Sequence, residues 1–361
     1  MTTLIDSNSD ICVEDLSALV QHELRTPLGN LQGAIRLLST GRYGKLSREG
    51  SQLLYTAMTS LDRLNRLAIA VEDQPTTLAT TLSPEQIRIF QLQNDLPGAI
   101  ERKEINLAYQ PIVCVETNTI VGFEALARWH HPVHGEVSPV IFIPLAEESG
   151  LIHQMSKQLI FEACQKLQYW QKCFPENQSL SVSVNLSVLQ LSRLDLVDHI
   201  EQVLENTQIN PQSLKLEITE SALVENSEIA VMVLKRLKHL GIHLYLDDFG
   251  TGYSALSRLP SLPLDALKVD RMFVANKNWE ICEVILSLAE KLKLNVIVEG
   301  VETPEEARIL EEIGFKKMQG YFFSHSLTAH SAFSLLKQKS DSLVSSNISN
   351  QDHPEEMFLI N

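Results

Sequence analysis

His243-Leu244-Tyr245-Leu246-Asp247-Asp248-Phe249 places Leu244 and Leu246 on one side of an extended chain and His243, Tyr245 and Asp247 on the other, then ends on paired acids. A period of two is that of a β-strand with one aliphatic face. Four more short aliphatic runs, at 180–186, 214–218, 266–269 and 295–298, are separated by amphipathic helical patterns such as 281–292. Repeated strand–helix units predict a parallel sheet covered by helices. Roughly eight such strands fit between residues 105 and 330, and no G-x-G-x-x-G follows the first, so a closed TIM-like (β/α)8 barrel is expected over an open doubly wound sheet.

The polar positions at the strand ends carry the chemistry. Val182, Val184 and Leu186 oppose Ser183 and Asn185; Leu214, Leu216 and Ile218 oppose Lys215 and Glu217; Val296 and Val298 oppose Ile297 and Glu299. Asn185, Glu217, Asp247 and Glu299 therefore project inward near C-terminal strand ends, where barrel enzymes place their catalytic groups. A single acid at a strand end is ordinarily a solvated one. Several aimed into one low-dielectric mouth cannot all stay ionised unless their pKa values rise or a cation neutralises them. All-oxygen donors select hard ions, so Mg²⁺ or Mn²⁺ is expected rather than zinc.

Outside the barrel the pattern changes. Residues 13–73 read as a helical hairpin: Leu16, Val20, Leu24, Leu28, Leu31, Ile35 and Leu38 form one stripe, Leu54, Met58, Leu61, Leu64, Leu67 and Val71 the other, and Gly41-Arg42-Tyr43-Gly44 the turn. Two helices bury too little surface alone, which predicts a homodimer through a four-helix bundle. Residues 1–12 are expected to be flexible, 74–83 a linker, 84–337 the barrel and 338–361 a disordered tail; Ser83-Pro84-Glu85-Gln86 has the form of a helix start.

Of the 361 residues, 44% are hydrophobic and 21% charged, a balance suited to a globular protein, and the net charge is −15. That charge argues against nucleic acid and anionic membrane partners. No apolar run approaches the ~20 residues needed to span a bilayer. The five cysteines, Cys12, Cys114, Cys164, Cys173 and Cys282, form no disulfide framework; a cytoplasmic location is expected.

Eight segments in order carry a family resemblance: Tyr109-Gln110-Pro111-Ile112, Glu124-Ala125-Leu126-Ala127-Arg128-Trp129, Val184-Asn185-Leu186-Ser187, Glu217-Ile218-Thr219-Glu220, Asp247-Asp248-Phe249-Gly250-Thr251-Gly252, Leu267-Lys268-Val269-Asp270, Glu299-Gly300-Val301-Glu302 and Gln319-Gly320-Tyr321. From about 97 to 334 the chain resembles the EAL family of cyclic di-GMP phosphodiesterases. The resemblance implies two ions, one held by Glu124, Asn185, Glu217 and Asp247, the other by Asp247, Asp248 and Glu299. It further implies that Lys268 orients the attacking water, that Glu299 is a candidate general base, that Arg128, Gln319 and Gln110 meet the substrate, and that Glu220 anchors a loop coupling metal to dimerisation. The implied reaction opens cyclic di-GMP to linear pGpG. The other readings are a non-catalytic cyclic di-GMP receptor and a phosphorelay adaptor.

His22-Glu23-Leu24-Arg25-Thr26-Pro27-Leu28 resembles the phosphoacceptor motif of histidine-kinase dimerisation domains, on the first helix of the hairpin. At ~100° per residue His22 points away from the apolar stripe. Glu23 could accept the imidazole proton and Thr26 position a water. No kinase domain follows in the sequence, which leaves two readings: phosphotransfer from a partner histidine kinase or response-regulator receiver, or a dimeriser whose histidine is idle.

Overall fold

The computed structural model describes residues 84–175, 178–220, 228–250 and 259–349. The hairpin at 13–73, with His22, Glu23 and Thr26, lies outside them. The chain divides between Gln91 and Leu92, within the helix Pro84–Glu101. In the second unit Leu92, Leu96, Ala99 and Ile100 of that helix are buried in the main core.

Among the described residues nine strands follow: β1 (Ile105–Cys114), β2 (Thr119–His131), β3 (Gly135–Val137), β4 (Ser181–Leu186), β5 (Leu214–Thr219), β6 (His243–Phe249), β7 (Ala266–Val269), β8 (Asn295–Val298) and β9 (Lys317–Met318). The order runs β1-β9-β8-β7-β6-β5-β4-β2-β3, and β1 also pairs with β2, so eight strands close on themselves while β3 extends the far end of β2 as a hairpin. Each of the eight barrel strands thus has a neighbour on both sides, as expected of a barrel, and of the described strands only β3 keeps a free edge.

One expectation needs correction: the sheet is not all parallel. β1 runs antiparallel to both β2 and β9, whereas β2 and β4 to β9 run parallel to one another. The cause is local. Between Cys114 and Thr119 a turn closes the chain, and a parallel connection needs a crossover of a dozen residues or more.

The alternation read from the strands sorts their faces. Val182, Val184, Leu186, Leu214, Leu216, Ile218, Leu244 and Leu246 belong to the outer core with residues of the helices Ile152–Cys173, Asp195–Thr207 and Glu228–His239. The inward positions form a separate small cluster of Ile112, Tyr245, Ala266 and Ile297, with Val121 against it. Tyr245, Ala266 and Ile297 each precede by two residues a polar position of the mouth: Asp247, Lys268 and Glu299. The barrel is thus filled in layers, as closed barrels of this size must be.

Helix boundaries place the strand-end loops. Thr303 and Glu306 make a reciprocal capping box at the start of Pro304–Ile313, and Gly314 closes its end at φ 117°. The last helix runs Ala329–Ser349, past residue 338, where the sequence reading placed a disordered tail. No glycine or proline interrupts 329–349, so local composition offers the helix no stop. No helix of the described residues is long and apolar enough to cross a membrane.

Gly320 follows the inward Gln319 where the chain touches its neighbour: a Cβ there would lie 2.0 Å from the Val301 carbonyl oxygen and 2.4 Å from the Val301 nitrogen. Gly135, at φ +68°, has open space around it. Gly320→Ala should therefore cost at least about 3 kcal/mol, because backbone must move, and Gly135→Ala about 1–2 kcal/mol, from the left-handed backbone alone. Urea unfolding of both variants checks the order.

Candidate metal centre at the barrel mouth

Lys268, on the inward face of β7, is buried to 1% exposure and its Nζ is the hub of the mouth. It donates to Glu217 Oε2 at 2.6 Å and to Glu124 Oε2 at 3.1 Å. Asp247 Oδ1 lies 3.0 Å away and Glu299 Oε1 2.5 Å away. Burial opposes the charge of Lys268, but Asp247, Glu124, Glu217 and Glu299 outweigh it and hold the ammonium well above the usual lysine range. The sequence reading sought cations only from metal; the chain supplies one itself.

The acids are not equivalent. Glu124 receives the Lys268 Nζ bond, Gln319 Nε2 at 2.7 Å and Asn185 Nδ2 at 2.8 Å. Burial pushes its pKa up, yet the Lys268 charge and these donors bring it below the ordinary glutamate value. Glu217 has no solvent exposure; burial first, then the charge of Glu124, drives its pKa well up. Glu299, just past β8, is pushed up to about 8 by burial, with Asp247 and Glu124 adding to it against Lys268. Asp248 is pushed up to about 6 by burial, then by the Asp247 charge and by Asp270.

Asp248 reaches the site through a backbone irregularity. The β6–β7 register shifts between Leu246 and Phe249, and Asp248 sits at φ 53°, in the left-handed region that few residues enter without cause. Simple alternation would aim Asp248 outward. The break instead lets consecutive acids serve one cavity.

Two sets of three carboxylates result, Glu124 with Glu217 and Asp247, and Asp247 with Asp248 and Glu299, each with ligand atoms within 4.8 Å of one another. Asp247 belongs to both. Glu217 Oε1, Asp247 Oδ1 and Glu299 Oε1 are buried without a hydrogen bond of acceptable geometry, although Lys268 lies near the last two. These carboxylate oxygens, with the buried Gln319 Oε1 beside them, make an all-oxygen donor set suited to a hard divalent ion. Five carboxylates facing one ammonium leave negative charge to be neutralised. The residues fit metal.

The remaining predicted residues ring this centre. Gln319 Nε2 also donates to Gln110 Oε1 at 3.1 Å, and Gln110 Nε2 to the Ser324 carbonyl at 3.3 Å. Arg128 lies on β2 two residues beyond Leu126 and four beyond Glu124, hence on the same face; it donates to Ser326 Oγ at 3.1 Å and to the Ala127 carbonyl at 3.0 Å, with Glu136 at 3.7 Å. Glu220 Oε2 accepts from Gly250 N at 3.3 Å, tying the end of β5 to the end of β6. Residues 221–227 and 251–258 are outside the described ones.

Sequence reasoning missed three supports: Asp270 beside Asp248, and Ser324 and Ser326 on the segment after Gln319. Strand parity places Ser183 on the inward face with Asn185; its Oγ is buried there. Asp270 ends the Leu267-Lys268-Val269-Asp270 segment with no role assigned to it, and Ser324 and Ser326 act across elements, where nothing local marks them. Replacing Lys268 by Met should destabilise the protein in EDTA by about 3–5 kcal/mol, the cost of uncompensated buried charge. Mn²⁺ should return part of it in urea unfolding curves; no loss in EDTA would contradict the hub assignment.

The family model described as EAL domain matches residues 93–326, and that of the His Kinase A (phospho-acceptor) domain matches 13–68. The cyclic di-GMP phosphodiesterase NbdA of Pseudomonas aeruginosa is 40% identical over 66% of this chain and 31% of its own length. An uncharacterized protein of Synechocystis sp. is 36% identical over 73% of this chain and 40% of its own. The chain therefore spans well under half the length of these relatives. The solved PaMucR phosphodiesterase in complex with c-di-GMP is similar at a TM-score of 0.64 and 36% identity, over 67% of this chain and 99% of that one. The EAL enzyme Bd1971 with cAMP and cyclic-di-GMP bound reaches 0.66 at 32% identity, over 79% and 75%. A closed barrel with acids at its strand ends, matched along most of its length by one family model, makes this chain a member of the EAL domain family.

Proposed function

We propose that the chain hydrolyses cyclic di-GMP to linear pGpG with two Mg²⁺ or Mn²⁺ ions. The observation that carries this reading is the sharing of Asp247 between two adjacent three-acid sets, the arrangement a bridged ion pair needs. Glu124, Asn185, Glu217 and Asp247 would hold one ion, and Asp247, Asp248 and Glu299 the other. When bound, such a pair acidifies a water and offsets charge on the attacking and leaving oxygens of an in-line displacement.

The chain's own groups do the rest. Arg128, fixed by Ser326 and the Ala127 carbonyl, presents its guanidinium to a phosphate oxygen. Lys268 Nζ, held among the acids, donates toward the attacking water, and Glu299 Oε1 accepts its proton. The water oxygen joins phosphorus, the 3′ oxygen leaves with a proton, and the phosphate remains on the 5′ oxygen of pGpG. Gln319 and Gln110, hydrogen-bonded to each other, close the wall beside Glu124. The hairpin at 13–73 would pair two copies and set the activity of the barrel, with His22 as the point at which a partner histidine kinase or receiver acts.

The test is chromatography of product from cyclic di-GMP with Mg²⁺ or Mn²⁺. The unmodified protein should release pGpG. Glu124→Ala should lose more than about 100-fold, since even residues behind metal ligands are worth 10–100-fold. His22→Ala should leave basal cleavage intact. Tight nucleotide binding without pGpG would instead make the chain a receptor.

A further inference from the structure

The closed end of the barrel holds a second charged cluster, opposite in sign to the first. Lys215 and His243 are register partners on β5 and β6, one alternation step below Glu217 and Tyr245. Lys215 Nζ lies 2.9 Å from His243 Nδ1 and 5.5 Å from the centre of the Tyr245 ring. Lys317 on β9 pairs with Ile297, a member of the inner apolar cluster, and so faces inward as well. Lys317 and Lys238 both act against the charge of Lys215, and Asp265 acts in its favour.

Asp265 is already committed. Its two oxygens accept from Lys238 Nζ at 2.6 and 2.8 Å, and Oδ2 also from Leu244 N at 2.7 Å. Among the described residues no carboxylate lies within ion-pair distance of Lys215 or Lys317; the neighbouring Lys316, by contrast, is paired with Glu116 at 2.9 Å. A lysine ammonium has donors and no acceptor, so His243 Nδ1 accepts from Lys215 and its Nε2 carries the ring proton. Lys215, His243 and Lys317 thus bring donors from three strands to the inner face at this end, and among the described residues the only side-chain acceptor they meet is His243 Nδ1, which takes one bond from Lys215. Each of the three residues is partly exposed. Above them Ile112, Tyr245, Ala266 and Ile297 separate the floor from the mouth.

In a chain of net charge −15, a converging set of bases invites an anion with several acceptor oxygens. We propose that Lys215, His243 and Lys317 form a binding site for a small inorganic oxyanion of the phosphate or sulfate class at the floor of the barrel. The site is independent of the metal centre, and it stands whether or not the barrel cleaves cyclic di-GMP.

Sulfate, which is neither substrate nor product, is the probe. Thermal unfolding of the full chain in saturating Mg²⁺ is followed in sodium sulfate against sodium chloride of equal ionic strength. The expected result is a saturable rise in Tm of about 2–4 °C specific to sulfate, as ligand linkage requires. Lys215→Met and Lys317→Met should each abolish the saturable part, and Lys316→Met should keep it. In the unmodified protein, the imidazole resonance of His243, assigned by its loss in His243→Gln, should move with sulfate over the same range. A sulfate response that is linear and equal in all variants, or a stationary His243 resonance, would overturn the proposal.

Discussion

Lys268 imposes the constraint on which the barrel mouth depends. A buried ammonium is tolerable only among carboxylates, and buried carboxylates only among cations. With Glu124, Glu217, Asp247 and Glu299 all within 3.1 Å of Lys268 Nζ, each acid is fixed by the same point. The middle of β2 and the C-terminal ends of β5, β6, β7 and β8 are thereby tied to one point. One positive charge does not balance this many acids. Burial first, and the neighbouring acids after it, raise the pKa values of Glu217, Asp248 and Glu299, and Glu217 Oε1 is left buried with no hydrogen-bond donor.

Charge is layered along the barrel axis. Acids and one lysine fill the mouth, Ile112, Tyr245, Ala266 and Ile297 the middle, and Lys215 with His243 the floor. The two-residue period of each strand carries this order directly: Lys215 and Glu217 on β5, His243, Tyr245 and Asp247 on β6, Ala266 and Lys268 on β7. The apolar middle separates the two polar ends in space; within each end, low dielectric strengthens the contacts made there.

Much of this was legible in the sequence, because strands report their faces by parity. The inward placement of Glu217, Asp247 and Glu299 follows from alternation alone, and the closure from the number of strand–helix units together with the missing G-x-G-x-x-G. Three things were not legible, for physical reasons. The antiparallel course of β1 is set by a turn whose brevity matters only once both flanking strands are known. Asp248 joins the site through a left-handed residue at a register shift, which parity reads as outward. Ser324 and Ser326 reach Gln110 and Arg128 across more than 190 residues of chain, beyond any local pattern. The helical hairpin read at 13–73 and the phosphoacceptor motif at His22 rest on the sequence and on the His Kinase A match.

The central claim is that Asp247 is shared by two ions. Electron paramagnetic resonance of the chain titrated with Mn²⁺ measures this directly, since two ions bridged by one carboxylate are spin-coupled. The account predicts a coupled Mn²⁺ pair that Asp247→Asn converts to uncoupled or absent signal. Isolated Mn²⁺ alone at saturation in the unmodified protein, or a coupled pair that survives Asp247→Asn, would contradict it.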